Sequence, residues 1–295
     1  MKTRVSDLAA IAFAVTGFTF WVLGDSCIKW IGTALPPMEI SAFMGLFMAL
    51  ALALQATMRG NLAMLRPRSY LRQGVRSFFD LANNVCVILA LRHLSLTIFY
   101  ILIFLSPLLV ALLSSQLLQE RIGKTKLVAL LIGFCGVVIA VAPWSSERRV
   151  DLVGFLCCMV CVTCFSINMV WSRVLTRTEP PESLAFFAGI VTTIIGLATT
   201  NIHFRPLSLP LLLLLISIGI FCAAGNACFY FAVKHTSASN VSQYHYTQLL
   251  SGAIVTYLIW RELPGPWMIL GGTLILGSGA LIAYNAQQAQ RSNPQ

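Results

Sequence analysis

The residues able to do chemistry are few, and they stand in a strongly apolar chain. Asp25 and Lys29 are spaced i, i+4, which puts them on one face of a helix. A charge inside a membrane span costs at least about 2.5–3.5 kcal/mol on insertion scales, so it has a partner or a task. The pair reads either as a site for an ion or a substrate ammonium, or as an interfacial pair reaching outward. Asp80, one turn after Arg76, admits the same two readings. His93, His235 and His245 titrate near neutral pH and suit coupling or gating, or structural hydrogen bonds. Trp21, Tyr100 and Trp171 offer faces that stack on a flat group or hold an ammonium; the alternative is belt or core packing. Ser166 and Asn168, close to Trp171, suit a carboxylate.

Uncharged polar residues add to this set. Ser242-Gln243-Tyr244-His245-Tyr246-Thr247-Gln248 is too polar to face lipid, where unpaired polar groups are costly. On a continuous helix Tyr244, Gln248 and Ser251 form one stripe, Ser242 and Tyr246 another, and substrate contact is the expected use. Asn84 and Asn226 read as interhelical glue or as substrate contacts. Phe79 and Asn83 complete the expected cavity set. Pro107 removes a backbone hydrogen bond and frees a carbonyl, a plausible hinge. Cys157, Cys158, Cys161 and Cys164 tempt a metal reading, but cysteine also packs as a small apolar residue. No metal, cofactor or disulfide is expected. Phosphate-binding glycine loops, HExxH and nucleophile elbows are absent, so no nucleotide-driven pump is encoded.

The elements that must position these residues follow from hydropathy. Of 295 residues, 58% are apolar and 10% charged, with a mean hydropathy of +0.82. A soluble domain carries about 25% charged residues, so a water-soluble enzyme, a nucleic-acid binder and a disulfide scaffold are excluded. Apolar runs near 8–31, 38–57, 75–91, 96–118, 125–142, 152–172, 183–200, 209–232, 239–260 and 266–284 predict ten transmembrane helices. The first is read as an uncleaved span. Its length and its charges at Asp25 and Lys29 argue against a signal peptide. With the N-terminus inside, 14 basic residues fall in inner segments and 6 in outer ones, which predicts both termini in the cytoplasm. The net charge of +10 is then topological, and anionic inner-leaflet lipid suffices as its partner.

The chain repeats itself. At a shift of 142, Phe79 meets Phe221, Asn84 meets Asn226, His93 meets His235 and Glu120 meets Glu262. A shift near 144 brings Asp7-Leu8 onto Asp151-Leu152 and Lys29 onto Arg173. Residues 1–146 and 147–295 are thus two halves of five spans each. Five is odd, so the second half enters from the opposite side, giving the inverted repeat common among secondary transporters.

Ala90-Leu91-Arg92-His93-Leu94-Ser95, Pro107, Glu120-Arg121, Ile132-Gly133 and Gly136-Val137 resemble the EamA-type repeat of the drug/metabolite transporter superfamily. The second copy is looser: Leu249 replaces the proline, and no basic residue follows Glu262 in the manner of Arg121 after Glu120. The resemblance implies a bacterial inner-membrane exporter of amino acids and metabolites, most similar to the aromatic-amino-acid type. It also implies a cavity among spans 1, 3, 4, 6, 8 and 9, with 5 and 10 supporting. No lone carboxylate or cation stands mid-span in this reading, so the expected solute is neutral or zwitterionic and coupling weak or absent. A carrier of another uncharged metabolite or a cationic drug is the rival, and an intramembrane enzyme a more distant one. Glycine-rich faces at Gly133 and Gly136, and at Gly271 and Gly272, read as close packing; a monomer is expected, with a dimer left open.

Overall fold

The computed structural model describes residues 7–118, 123–141, 151–200, 207–236 and 238–292. Glu120, Arg121, Ser237 and the expected boundary at 146/147 lie outside them. Within hydrocarbon a backbone must satisfy its own hydrogen bonds, and every described element is helical. These are α1 (Asp7–Ile31), α2 (Pro37–Met58), α3 (Tyr70–His93), α4 (Leu96–Ile103), α5 (Leu105–Leu117), α6 (Lys124–Val141), α7 (Leu152–Leu175), α8 (Pro181–Thr199), α9 (Leu209–His235), α10 (Ala238–Val241), α11 (Tyr246–Trp260) and α12 (Pro266–Ser292). Short 3₁₀ turns cover Leu62–Leu65 and Ser242–His245.

Two of the ten spans are broken, and they are repeat equivalents. The fourth divides into α4 and α5 at Phe104, three residues before Pro107. Pro107 lacks the N–H that would reach the Ile103 carbonyl, and the Ser106 hydroxyl donates to that oxygen instead, at 2.5 Å. The freed carbonyl is therefore occupied from within. The ninth span divides into α10, the Ser242–His245 turn and α11.

The packing repeats with the sequence. α1 packs along α9 as α7 packs along α3; α2 crosses α8, and α6 crosses α12. Where α2 meets α8, a Cβ built on Gly45 would lie 2.6 Å from the Gly189 carbonyl, and one on Gly189 would lie 2.9 Å from that of Gly45. Both helices begin alike, with Pro36-Pro37 and Pro180-Pro181 at their N-termini. The α6/α12 crossing is as tight: a Cβ on Gly136 would approach the Gly271 carbonyl to 2.8 Å. The small-residue faces of α6 and α12 thus cover each other within one chain.

The α7–α8 connector ties to the start of α3. Glu179, almost wholly buried, accepts from the Arg68 and Ser69 amides at 2.8 and 2.9 Å and from Gln73 Nε2 at 3.0 Å. That carboxylate satisfies backbone donors at a helix N-terminus, where the chain needs a negative partner.

Candidate functional site

The helices enclose a central cavity. Its walls come from α1 (Trp21, Asp25, Ile28), α2 (Met44, Met48), α3 (Asp80, Asn83, Asn84, Val87), α4 (Phe99, Tyr100, Ile103), α7 (Phe165, Asn168, Met169), α9 (Cys222, Asn226, Phe229, Tyr230), His245 and α11 (Gln248). Rings dominate one side. Trp21 stands edge-on to Phe165, with centroids 6.1 Å apart, and leans on Phe229 at 5.1 Å. The position of its indole depends on Gly225, where any Cβ would lie 2.5 Å from Cδ1. His245 lies between Phe18 and Phe165, each with its centroid 4.4 Å away, and its buried Nδ1 has no hydrogen-bond partner among the described residues.

Two carboxylates share the cavity but differ in their company. Asp80 accepts from Asn168 Nδ2 at 2.8 Å. The Asn168 carbonyl accepts in turn from Arg76 Nη1 at 3.0 Å and from the Ser172 hydroxyl at 3.1 Å. Arg76 is fully buried; it also donates to the Tyr230 hydroxyl and, at 2.8 Å, to the Leu184 carbonyl. Its guanidinium carbon lies 5.2 Å from the Tyr230 ring centroid. Asp80 is therefore joined to a cation through one amide. Asp25 accepts from the Tyr100 hydroxyl at 2.8 Å. Lys29 does not pair with it, since Nζ donates to the Leu94 carbonyl at 2.9 Å and lies 5.7 Å from the Trp260 ring centroid. Among the described residues no cation forms an ion pair with Asp25.

The chain matches the EamA-like transporter family twice, over residues 8–142 and again over 152–284. It belongs to that family. The transporter is 24% identical over 271 residues to an S-adenosylmethionine uptake transporter of Rickettsia bellii, covering 90% of each chain. It is 27% identical over 269 residues to a pseudopaline exporter of Pseudomonas aeruginosa, covering 89% of this chain and 91% of the other. A riboflavin transporter of Brucella anthropi is 26% identical over 258 residues, covering 85% and 89%. A solved crystal structure of a protein superposes with a TM-score of 0.74 at 20% identity, over 97% of this chain and all of its own, and speaks for the fold alone. The protein is a multi-pass membrane transporter with bacterial relatives, and its family is one of carriers rather than enzymes.

Of the residues expected in the transporter's cavity, Trp21, Asn83, Asn84, Tyr100, Asn168, Asn226 and Gln248 line it, as do Asp25, Asp80 and His245. The others lie elsewhere. Trp171 is 40% exposed on the outer face of α7. Ser166 is buried with its hydroxyl donated to the Val162 carbonyl at 2.6 Å, and Asn168 is committed to Asp80 and Arg76, so neither is free for a carboxylate. Phe79 is half-buried beside Phe78. Ser242 is buried and Tyr244 packs among core side chains, because the 3₁₀ turn changes the helical phase on which their stripes rested. Tyr246 stacks on Phe104 and reaches Ser278, away from the cavity.

The gating candidates divide in the same way. His93 meets Asp151 at 3.2 Å, and His235 Nδ1 lies 2.8 Å from the Phe231 carbonyl; both rings are exposed and outside the cavity. Lys29 and Pro107 are also outside it. The expectation that no lone carboxylate stands deep in a span is corrected, since Asp25 and Asp80 both line the cavity. α3 begins five residues before its apolar run does, which carries Arg76 and Asp80 inward from the surface. The sequence reading also missed Met44 and Met48, and with them the part that α2 plays in the wall.

Proposed function

We propose that this transporter carries amino-acid-type metabolites, aromatic ones above all, outward across a bacterial inner membrane by alternating access. In this reading residues 1–146 and 147–295 rock about the cavity, and both termini lie in the cytoplasm. One observation carries the substrate assignment: Asp25 sits at the cavity wall with a hydroxyl for a partner and, among the described residues, no cation. A buried carboxylate without a counter-charge is costly, and a solute's ammonium supplies one. Trp21, Phe165 and Phe229 offer faces for a flat side chain. The side-chain amides of Asn83 and Asn84 make no hydrogen bond among the described residues and suit the solute's carboxylate.

The solutes named for two relatives support a flat or cationic cargo. S-adenosylmethionine and riboflavin both contain flat heterocycles, and S-adenosylmethionine is itself an amino acid with a cationic centre. A cationic drug would satisfy Asp25 but leave Asn83 and Asn84 unused. The test is counterflow in proteoliposomes with labelled aromatic, aliphatic, basic and acidic amino acids. Saturable exchange led by the aromatic members supports the proposal. Exchange confined to acidic members, or no exchange by monodisperse protein, removes it.

A further inference from the structure

A second concave surface, sharing no residue with the transport cavity, lies on the membrane face that bears the α2–α3 connector. Leu62, Leu65 and Arg66 of the connector and Tyr70 of α3 form one wall; Phe187 and Ile190 of α8 form the other. Leu62 and Tyr70 are each 58% exposed, so the groove is apolar and open to its surroundings. It is nevertheless built. Leu65 is buried, the Tyr70 and Phe187 rings meet at 5.9 Å, and Glu179 holds the connector through the Arg68 and Ser69 amides. Arg66 lines the groove, and Arg59, Arg68 and Arg72 stand close to Arg66 in sequence; all four are exposed and none forms an ion pair among the described residues.

An apolar slot with an unpaired guanidinium group in its wall, in an arginine-rich connector between two spans, has the chemistry of one ligand: a lipid with acyl chains and an anionic headgroup. We propose that this groove is a binding site for an anionic phospholipid of the adjoining leaflet. An acyl chain lies between Leu62 and the α8 residues Phe187 and Ile190, and the phosphate meets Arg66. Tyr70 occupies the headgroup level, where tyrosine is favoured. The inference does not depend on which solute is carried. The connector is pinned by Glu179 to the α7–α8 connector, so the lipid sits beside one of the contacts between the two halves.

The test is native mass spectrometry of the purified protein titrated with dioleoyl phosphatidylglycerol and, separately, dioleoyl phosphatidylcholine. The site predicts tighter retention of phosphatidylglycerol. Arg66→Gln weakens that binding about fivefold, the effect of one basic residue near a charged surface, and leaves phosphatidylcholine unchanged. Arg66→Lys retains most of the affinity, and Leu62→Asn weakens both lipids. Arg177→Gln, which removes an exposed arginine from the α7–α8 connector outside the groove, has little effect. Equal retention of the two lipids overturns the proposal, as does a loss in Arg177→Gln matching that in Arg66→Gln. The latter result would mean diffuse attraction rather than a site.

Discussion

Phe104 and Tyr246, related by the 142-residue shift, stack with ring centroids 4.8 Å apart and planes 14° from parallel. Each stands where its span breaks, before α5 in one half and at the start of α11 in the other. Repeat-related residues that touch lie beside the axis relating the repeats. The stack therefore marks the pseudo-two-fold at the level of both breaks, as Gly45 and Gly189 mark it between α2 and α8. An aromatic pair is worth about 0.5–1.5 kcal/mol beyond its buried area. A double-mutant cycle of Phe104→Leu and Tyr246→Leu on thermal unfolding in detergent should give a coupling in that range. Additive losses would make the stack incidental.

Gly252 faces the Tyr100 ring, and a Cβ there would lie 2.4 Å from Cδ2. Gly252→Ala must push the ring aside, at about 1–3 kcal/mol of overpacking, and disturb the Tyr100–Asp25 hydrogen bond. Transport should fall more than in Tyr100→Phe, which removes the hydroxyl and keeps the ring in place. Unchanged unfolding and transport in Gly252→Ala would show that the Tyr100 ring has room to move aside.

Arg76, Asn168 and Asp80 form one unit across α3 and α7. Arg76→Met leaves the buried Leu184 carbonyl and Tyr230 hydroxyl without their donor, at about 1–3 kcal/mol, and strips Asp80 of its counter-charge. Asp80→Asn added to Arg76→Met should recover part of the loss, because the stranded charge is gone. A double variant as unstable as the sum of the singles would separate the two residues.

Asp151 caps α7. Its carboxylate accepts from the Gly154 amide at 3.0 Å and stands 3.2 Å from His93, and these contacts, the amide first, hold its carboxyl below the usual range. A depressed carboxyl contributes stability above its unfolded value, about 4, that is lost as pH falls through the folded value. Asp151→Ala should therefore melt below the wild type at pH 7, with the gap closing beneath about pH 4. A gap independent of pH would assign the effect to something other than the charge.

The fold was legible because hydropathy and the repeat speak of the whole chain at once: ten apolar runs, and Asn84, His93 and Glu120 falling on their counterparts. The cavity wall was legible where a residue type is too costly to face lipid, as with Asp25, Asn84, Asn226 and Gln248. It was not legible for Trp171, because an aromatic residue is at home in lipid, in a core or in a cavity, and helical period does not choose among them. Tyr244 and Tyr246 were misplaced by the 3₁₀ turn, which no spacing announced. Arg76, Asp80, Asn83, Asn84 and Val87 follow one stripe at i, i+4, i+7, i+8 and i+11, a signal that would have drawn Arg76 inward. Pro36-Pro37 and Pro180-Pro181 would have carried the repeat into the second span of each half.

The central claim is that Asp25 receives the solute's cation, and counterflow of three indoles into proteoliposomes tests it most directly. Tryptophan and tryptamine carry the ammonium; indole-3-propionate carries the flat ring without it. Wild-type protein should exchange the first two and exclude the third. Asp25→Asn, folded and monodisperse, should raise the half-saturating concentration of tryptophan and tryptamine at least tenfold, the effect of losing about 1.4 kcal/mol of charge-assisted binding. Equal exchange of indole-3-propionate by the wild type, or tryptamine exchange unaltered in Asp25→Asn, would contradict the account.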